Sequence, residues 1–336
     1  MPIPIKHNMY DDMANLLKKE LTEGGFVSND NYPEDISSET DSAKRSYVLA
    51  WNMAYQYFNL LHRVINPAVR KVFWSGELES KKATLPSAQM RAIEAISLAS
   101  EAGESLLPHM SYQIRRADFE DYLYSDWKIV HLHLDTIPSV KPHLQTKLVH
   151  FVERTGPVLF GYVTENGLYL IDILEHGSWA ERELFEILYK NWPGIIEPYR
   201  LNGLTGTGTW ILSSEEILRL RKAGIHINLE MSDGSLYRPL GGGLATSGAN
   251  AQIVTHADDL FRRSQSVLDS IQRNIDQVVP KLEEKLGKKM DTLELIFALS
   301  DGLLPLFFEK SGNIPIYIEG LHFNTHNKSH KSHIED

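Results

Sequence analysis

The sequence predicts an α+β protein with an N-terminal helical bundle, a central antiparallel sheet with a packed helix, and a C-terminal helical region with a small β element. Three observations lead there. Apolar residues recur at helical spacing through most of residues 8–125, strict alternation begins after Asp126, and helical spacing returns after Thr255. With 336 residues, 42% hydrophobic and 23% charged, the chain has the composition of a folded globular protein and the length of about two domains.

The first helix spans 10–23 and stops at Gly24-Gly25, and the polar run 28–41 has no apolar period and reads as a loop. From Ser42, Val48, Trp51, Met53, Tyr55, Phe58, Leu61, His62 and Ile65 recur at helical spacing until Asn66-Pro67 interrupts them. Pro67 suits the first turn of a short helix. A third long helix is expected over 86–107, carrying Met90, Ile93, Ile96 and Leu98, and a fourth over 109–124.

Residues 127–134 alternate as a strand, with Trp127, Ile129, His131 and His133 on one face. Two β-rich runs, 158–164 and 168–174, are joined through Glu165-Asn166-Gly167, and Asn-Gly between apolar runs predicts a two-residue type I′ hairpin. That turn would pair Val163 with Leu170, Gly161 with Asp172 and Pro157 with His176. Ser178-Trp179-Ala180-Glu181 has the form of a capping box opening a helix to Trp192, which Pro193 ends. Further on, 209–212 reads as a strand, Ser213 caps a helix through Lys222, and 225–231 and 235–237 flank a second turn of the same type at Asp233-Gly234. Gly241-Gly242-Gly243 opens a flexible stretch reaching Gly248. Helices are expected over 257–286, capped by Thr255 with Asp258, and over 290–308, with a strand at 314–318. The expected organisation is a helical domain at 1–125, sheet plus helix at 126–200, and a β-rich hairpin with Gly-rich loops at 201–255. C-terminal helices and a short strand at 256–320 and a His-rich tail at 321–336 complete it.

Composition excludes several classes of chemistry. With no cysteine there is no disulfide framework, thiolate metal site or cysteine nucleophile, and any metal must sit on His and carboxylate. A net charge of −10 argues against a surface that clings throughout to nucleic acid or anionic lipid, leaving a local basic groove. The start, MPIPIKHNMYDDM, lacks an export pattern, and no apolar run approaches membrane-spanning length, so a cytoplasmic protein without membrane association is expected.

The residues that point to chemistry cluster in the β-rich region. His131 and His133 stand side by side on one strand face, with His176 at the end of a neighbouring hairpin. A metal there would need a third ligand from Asp135, Asp172, Glu175 or His176, none at a diagnostic spacing, and no cofactor is expected. His176 precedes the expected helix start, where the helix dipole disfavours the imidazolium and leaves a neutral base. Arg154, just before the hairpin, has the fork that binds phosphate. Tyr162, and Asp172 as the one acid inside the hairpin, are the candidate substrate contacts, although Tyr162, with Phe160, Tyr169, Ile171 and Ile173, also reads as core. The glycine-rich segments at 204–209 and 239–243 lack the Gly-Lys-Ser/Thr and GxGxxG patterns of phosphate cradles. His322, His326, His330 and His333 form a tail cluster suited to adventitious metal.

The order of strand, Arg154-containing connection, Asn-Gly hairpin and terminal His, in DWKIVHLHL … ERTGPVLFGYVTENGLYLIDILEHGSW, resembles the sheet of small RelE/HigB-like toxin ribonucleases. The resemblance covers about a fifth of the chain. It implies a metal-independent endoribonuclease, of toxin or phage-defence type, in which His176 or His133 serves as general base or acid, Arg154 stabilises phosphate and His131 supports. RNA and an antitoxin or inhibitor protein are the partners it implies. Family members are shorter and strongly basic, whereas this chain is long and acidic, with His where they often carry Lys or Arg. Two further readings stand beside it: a non-enzymatic interaction protein or homodimer built on the helices at 42–65 and 257–286, and a His/carboxylate metallohydrolase.

Overall fold

The computed structural model describes residues 3–141, 149–206, 212–225, 227–245, 248–300 and 303–316. In chain order β1 (Ile5–His7), α1 (Met9–Glu23), α2 (Ser42–Arg63), β2 (Lys71–Trp74), α3 (Gly76–Lys81), α4 (Ser87–Ala102) and α5 (Tyr122–Trp127) come first. They are followed by β3 (Ile129–His133), β4 (Pro157–Val163), β5 (Gly167–Glu175), α6 (Arg182–Asn191), α7 (Pro193–Ile196), β6 (Arg200–Thr205) and α8 (Ser214–Lys222). The remainder is β7 (Leu229–Glu230), β8 (Ser235–Tyr237), α9 (Ala251–Arg273), α10 (Ile275–Leu286), β9 (Leu293–Ser300), β10 (Leu304–Glu309) and β11 (Ile314–Pro315). The chain is α+β, as the sequence predicts. Among the described residues no helix is long and apolar enough to cross a membrane.

Two compact units divide the chain: residues 1–58 with 254–336, and residues 59–253. The first gathers Met13, Leu17, Met53, Ile271, Leu293 and Phe307 into a core from both ends of the sequence. Its sheet runs β1-β9-β10-β11, with β1 parallel to β9. The sequence reading expects a helix over 290–308, and the structure replaces it with the β9–β10 hairpin. Leu293, Leu295 and Phe297 face inward while Glu294 and Ile296 face out, so the period there is two and the helical reading fails on it. α9 begins at Ala251, not at the Thr255 cap, because Asn250 Oδ1 accepts from the backbone N–H groups of Gln252 and Ile253. The expected continuous helix to 286 breaks at Asn274.

The second unit holds the sheet β2-β5-β4-β3, in which β2 is parallel to β5 and the other pairs are antiparallel. β2 replaces the short helix expected after Pro67, and the helix expected over 109–124 resolves into two 3-10 turns followed by α5. Val158, Phe160 and Ile171 pack on one side of this sheet with Leu184, Phe185 and Leu188 of α6; Leu132, Leu159, Leu168 and Leu170 pack on the other with Ile93 and Ile96 of α4. A smaller sheet, β6-β8-β7, closes with a three-residue turn in which Gly234 has φ +80°. That is a type I turn with a bulge, not the two-residue turn expected. Ser213 and Glu216 form the expected capping box of α8. The expected strand at 209–212 and the tail histidines lie largely or wholly outside the described residues.

The Gly241–Gly243 segment, expected to be flexible, is docked: Leu240 N–H donates to Asp126 O at 2.8 Å and Gly243 N–H to Ser125 O at 3.0 Å. A Cβ at Gly241 would lie 1.8 Å from the Tyr124 carbonyl oxygen, so only glycine permits this approach. Gly241→Ala is therefore expected to destabilise the protein by at least about 2 kcal/mol. Gly194→Ala, where a Cβ meets nothing within 4 Å, is expected to be neutral or slightly stabilising. Urea unfolding of the two variants checks this pair.

Candidate functional site

Strand pairing places the imidazoles. β3 runs antiparallel to β4 with His131 opposite Phe160 and His133 opposite Val158. The two-residue period then puts both rings on the face that carries those two residues. β5 ends opposite Pro157, and His176, whose backbone N–H donates to Gly156 O at 2.8 Å, starts the turn that follows. Gly177 takes φ +115° there and lets the chain fold back, bringing Trp179 over the histidines. Its ring centroid lies 4.5 Å from that of His131, 4.8 Å from His176 and 5.8 Å from Phe160. The imidazole centroids are 6.0 Å apart for His131 and His133, 6.3 Å for His131 and His176, and 5.8 Å for His133 and His176. The three rings surround a common point beside one indole.

Exposure is graded across the cluster. His176 is exposed, His131 half-buried, and His133 only 1% exposed. The His133 Nδ1 accepts the Thr155 backbone N–H at 3.3 Å, so the neutral ring carries its hydrogen on Nε2. That Nε2 is buried and has no hydrogen-bond partner. Arg154, half-buried, reaches only the Met110 carbonyl and the Ser111 hydroxyl, both at 3.4 Å, and pairs with no carboxylate among the described residues. Among the described residues the site thus presents a donor without an acceptor and a cation without a counter-ion.

Burial pushes the His131 imidazole down to about 4; Asp121 opposes that shift, while His176 and Arg154 add to it. Burial takes His133 down to about 3, with Arg154 the next contributor. His176 is lowered by burial and then by Arg154, and the Arg154 guanidinium is itself lowered by burial. All three imidazoles are neutral near pH 7.

Three expectations about the surroundings change. Ser178 caps nothing: α6 starts at Arg182 after Glu181, so neutrality at His176 comes from burial and Arg154 and not from a helix dipole. The hairpin register differs too. The Thr164 N–H donates to Gly167 O at 2.9 Å, centring the turn on Glu165-Asn166, and Gly161 pairs with Leu170. A bulge between Phe160 and Gly161 then sets Phe160 opposite Asp172. Ile171 is the extra residue, and beyond it the faces alternate out of phase, so Ile173 packs on the side opposite Tyr162.

Comparison with protein-family models, curated proteins and solved structures finds no match.

Tyr162 and Asp172, the expected substrate contacts, stand apart from the imidazoles. Tyr162 is packed in the core with Lys128 Nζ 5.7 Å from its ring, and burial keeps its phenol protonated. Asp172, 1% exposed, accepts Lys81 Nζ at 2.6 Å and 2.8 Å. Lys81→Met, which strands that carboxylate, is expected to lower stability by about 1–3 kcal/mol in urea unfolding and to leave the histidine NMR signals in place. Of the residues proposed from sequence, His131, His133, His176 and Arg154 converge. Thr155, next to Arg154, and Trp179, three residues after His176, join them from the same segments, and Ser111 and Asp121 arrive from a separate one without a sequence signal. Among the described residues no three His, Asp or Glu side chains are grouped to hold a metal ion.

A depressed histidine pKa ties stability to pH. The unfolded imidazole, with a pKa of about 6.5, takes up protons that folded His131 and His133 refuse until about 4 and about 3. Their contribution is complete above about pH 6.5 and is lost as pH falls toward the folded values. The urea midpoint is expected to drop between pH 7 and pH 4, more steeply for the native chain than for His133→Gln. Equal slopes would contradict the burial argument.

Proposed function

We propose that this cluster binds a phosphodiester of RNA and cleaves it by attack of the ribose 2′-hydroxyl, as a metal-independent endoribonuclease acting on cytoplasmic RNA. The observation that carries this reading is the unpartnered Nε2–H of buried His133 beside a guanidinium that has no carboxylate. A phosphate offers both the acceptor and the countercharge. His176, neutral and exposed, takes the 2′-hydroxyl proton as the oxygen attacks phosphorus. The bond to the 5′-oxygen breaks, His131, which takes up a proton from solvent when the phosphate binds, delivers it to that oxygen, and a 2′,3′-cyclic phosphate remains. Arg154 and His133 hold the charge that builds on the non-bridging oxygens. The resemblance of 126–192 to RelE/HigB-like toxin ribonucleases supports the same chemistry.

The test is cleavage of a labelled RNA. His176→Ala, an exposed change, is expected to lower kcat by about 10²–10⁴ with the thermal unfolding transition unchanged. EDTA is expected to have no effect, and an all-deoxy strand to resist cleavage for want of the nucleophile. Undiminished cutting by the variant, or cutting of the deoxy strand, would end the proposal.

A further inference from the structure

Beside His131 lies a small cavity whose lining includes Arg63, Ser111, Asp121, Tyr124 and His131 itself, and neither Trp179 nor His176. It measures about 20 Å³, room for one water molecule. Asp121 is fixed at its wall as the N-cap of α5, its Oδ1 accepting the Tyr124 backbone N–H at 3.0 Å. That bond occupies one carboxylate oxygen and leaves the other for the cavity. Arg63 is a cation on the same lining; its guanidinium donates to Asn59 Oδ1 at 3.2 Å and Arg116 O at 2.9 Å, and it stacks on Phe119 at 5.6 Å. Ser111, on the same wall, is the hydroxyl that Arg154 touches at 3.4 Å, so the cavity adjoins the phosphate-seeking side of the cluster as well.

We infer that Asp121, through one water in this cavity, holds the proton on the far side of the His131 imidazole and so makes His131 the acid of the proposed cleavage, with Asp121 its positioning residue. This rests on the reading of the cluster as a ribonuclease site. Arg63 and Tyr124 share the cavity with His131 and Asp121, and His133 and Trp179 lie against its ring. His176 and Arg154 oppose the imidazolium, and Asp121 is the anion that favours it. His176 has Arg154 acting on it and no such carboxylate. Both imidazoles are lowered, His131 to about 4, and they differ in that a carboxylate opposes the lowering at His131 alone; in the proposed reaction the carboxylate-backed ring, once a bound phosphate raises it, is the one to carry the proton, and the exposed ring the one to accept it.

Asp121→Asn is the informative variant, because asparagine keeps the N-cap acceptor while removing the charge. In the full chain, 15N spectra of the imidazoles at pH 7 are expected to show one dominant His131 tautomer, and the variant to lose that preference while His176 is unmoved. In the RNA assay the variant is expected to lose about tenfold in kcat with KM unchanged, and the alkaline limb of its kcat–pH profile is expected to move to lower pH. Asp121→Glu, which restores the charge, is expected to recover part of the loss. Identical His131 nitrogen shifts in the native chain and Asp121→Asn would overturn the inference whatever the RNA assay gives. A shifted His131 tautomer in a protein that cleaves no RNA would keep the Asp121–His131 coupling and end the ribonuclease reading alone.

Discussion

Both faces of the sheet β2-β5-β4-β3 are buried, and the character of the candidate site follows from that constraint. A side chain on this sheet has hydrocarbon on its own side, from α6 and the loop before it on one face and from α4 on the other. An imidazole placed there loses most of its hydration, and the charged form suffers far more than the neutral one. His131 and His133 sit near the end of an edge strand, where packing is thick enough to keep them neutral and thin enough to leave His131 half-exposed. The same burial makes the bulge at Gly161 necessary. A Cβ there would stand 3.3 Å from the Tyr169 carbonyl, and the extra residue Ile171 lets β5 keep apolar groups on both faces while Asp172 reaches Lys81.

Much of this geometry is written in short-range pattern. A period of two fixes that His131 and His133 share a face, and two apolar runs around a polar turn fix that β4 and β5 pair. Both statements depend only on neighbours in sequence. The details that fail depend on distant partners. The turn moves one residue toward the N-terminus because β2 lies along β5: the Lys71 N–H donates to Asn166 O, and Lys71 aligns with Gly167, drawing that glycine into the strand. Gly241 looks flexible in sequence because its reason for being glycine, the Tyr124 carbonyl, lies more than a hundred residues away. In 293–309 the alternation of Leu293, Leu295 and Phe297 is legible, yet Ile296 and Leu299 blur it enough to admit a helical reading.

The convergence of His176 and Arg154 on the β3 histidines was legible in part. Register alone carries the end of β5 to the start of β4, and the segment before β4 contains Arg154. Trp179 was not legible as part of the site. Its place depends on Gly177 and on the buried Arg221, which donates to the Trp179 carbonyl while paired with Asp126 at 2.8 Å. A residue of α8 thus fixes the indole that walls the cluster, a relation no local window of sequence contains.

A neutral cluster around an unpaired guanidinium has a consequence for how such a site would act. Among the described residues its three imidazoles are lowered and Arg154 is a partly desolvated cation. An entering phosphate reverses the balance at each group: it supplies the countercharge that burial denied Arg154, accepts from His133 Nε2, and favours the imidazolium at His131 and His176. A shift of one pKa unit corresponds to about 1.4 kcal/mol, so a phosphate a few ångströms from a buried imidazole is a large enough perturbation to bring His131 toward neutral pH. In the proposed cleavage the acid would then be created by its own substrate. Under the same proposal Asp121 would decide which ring receives that proton, because among the described residues it is the carboxylate acting on His131 and none acts in that way on His176. The separation of base from acid in that reaction, invisible in a sequence that shows three alike histidines, would come from the carboxylate that shares a cavity with one of them.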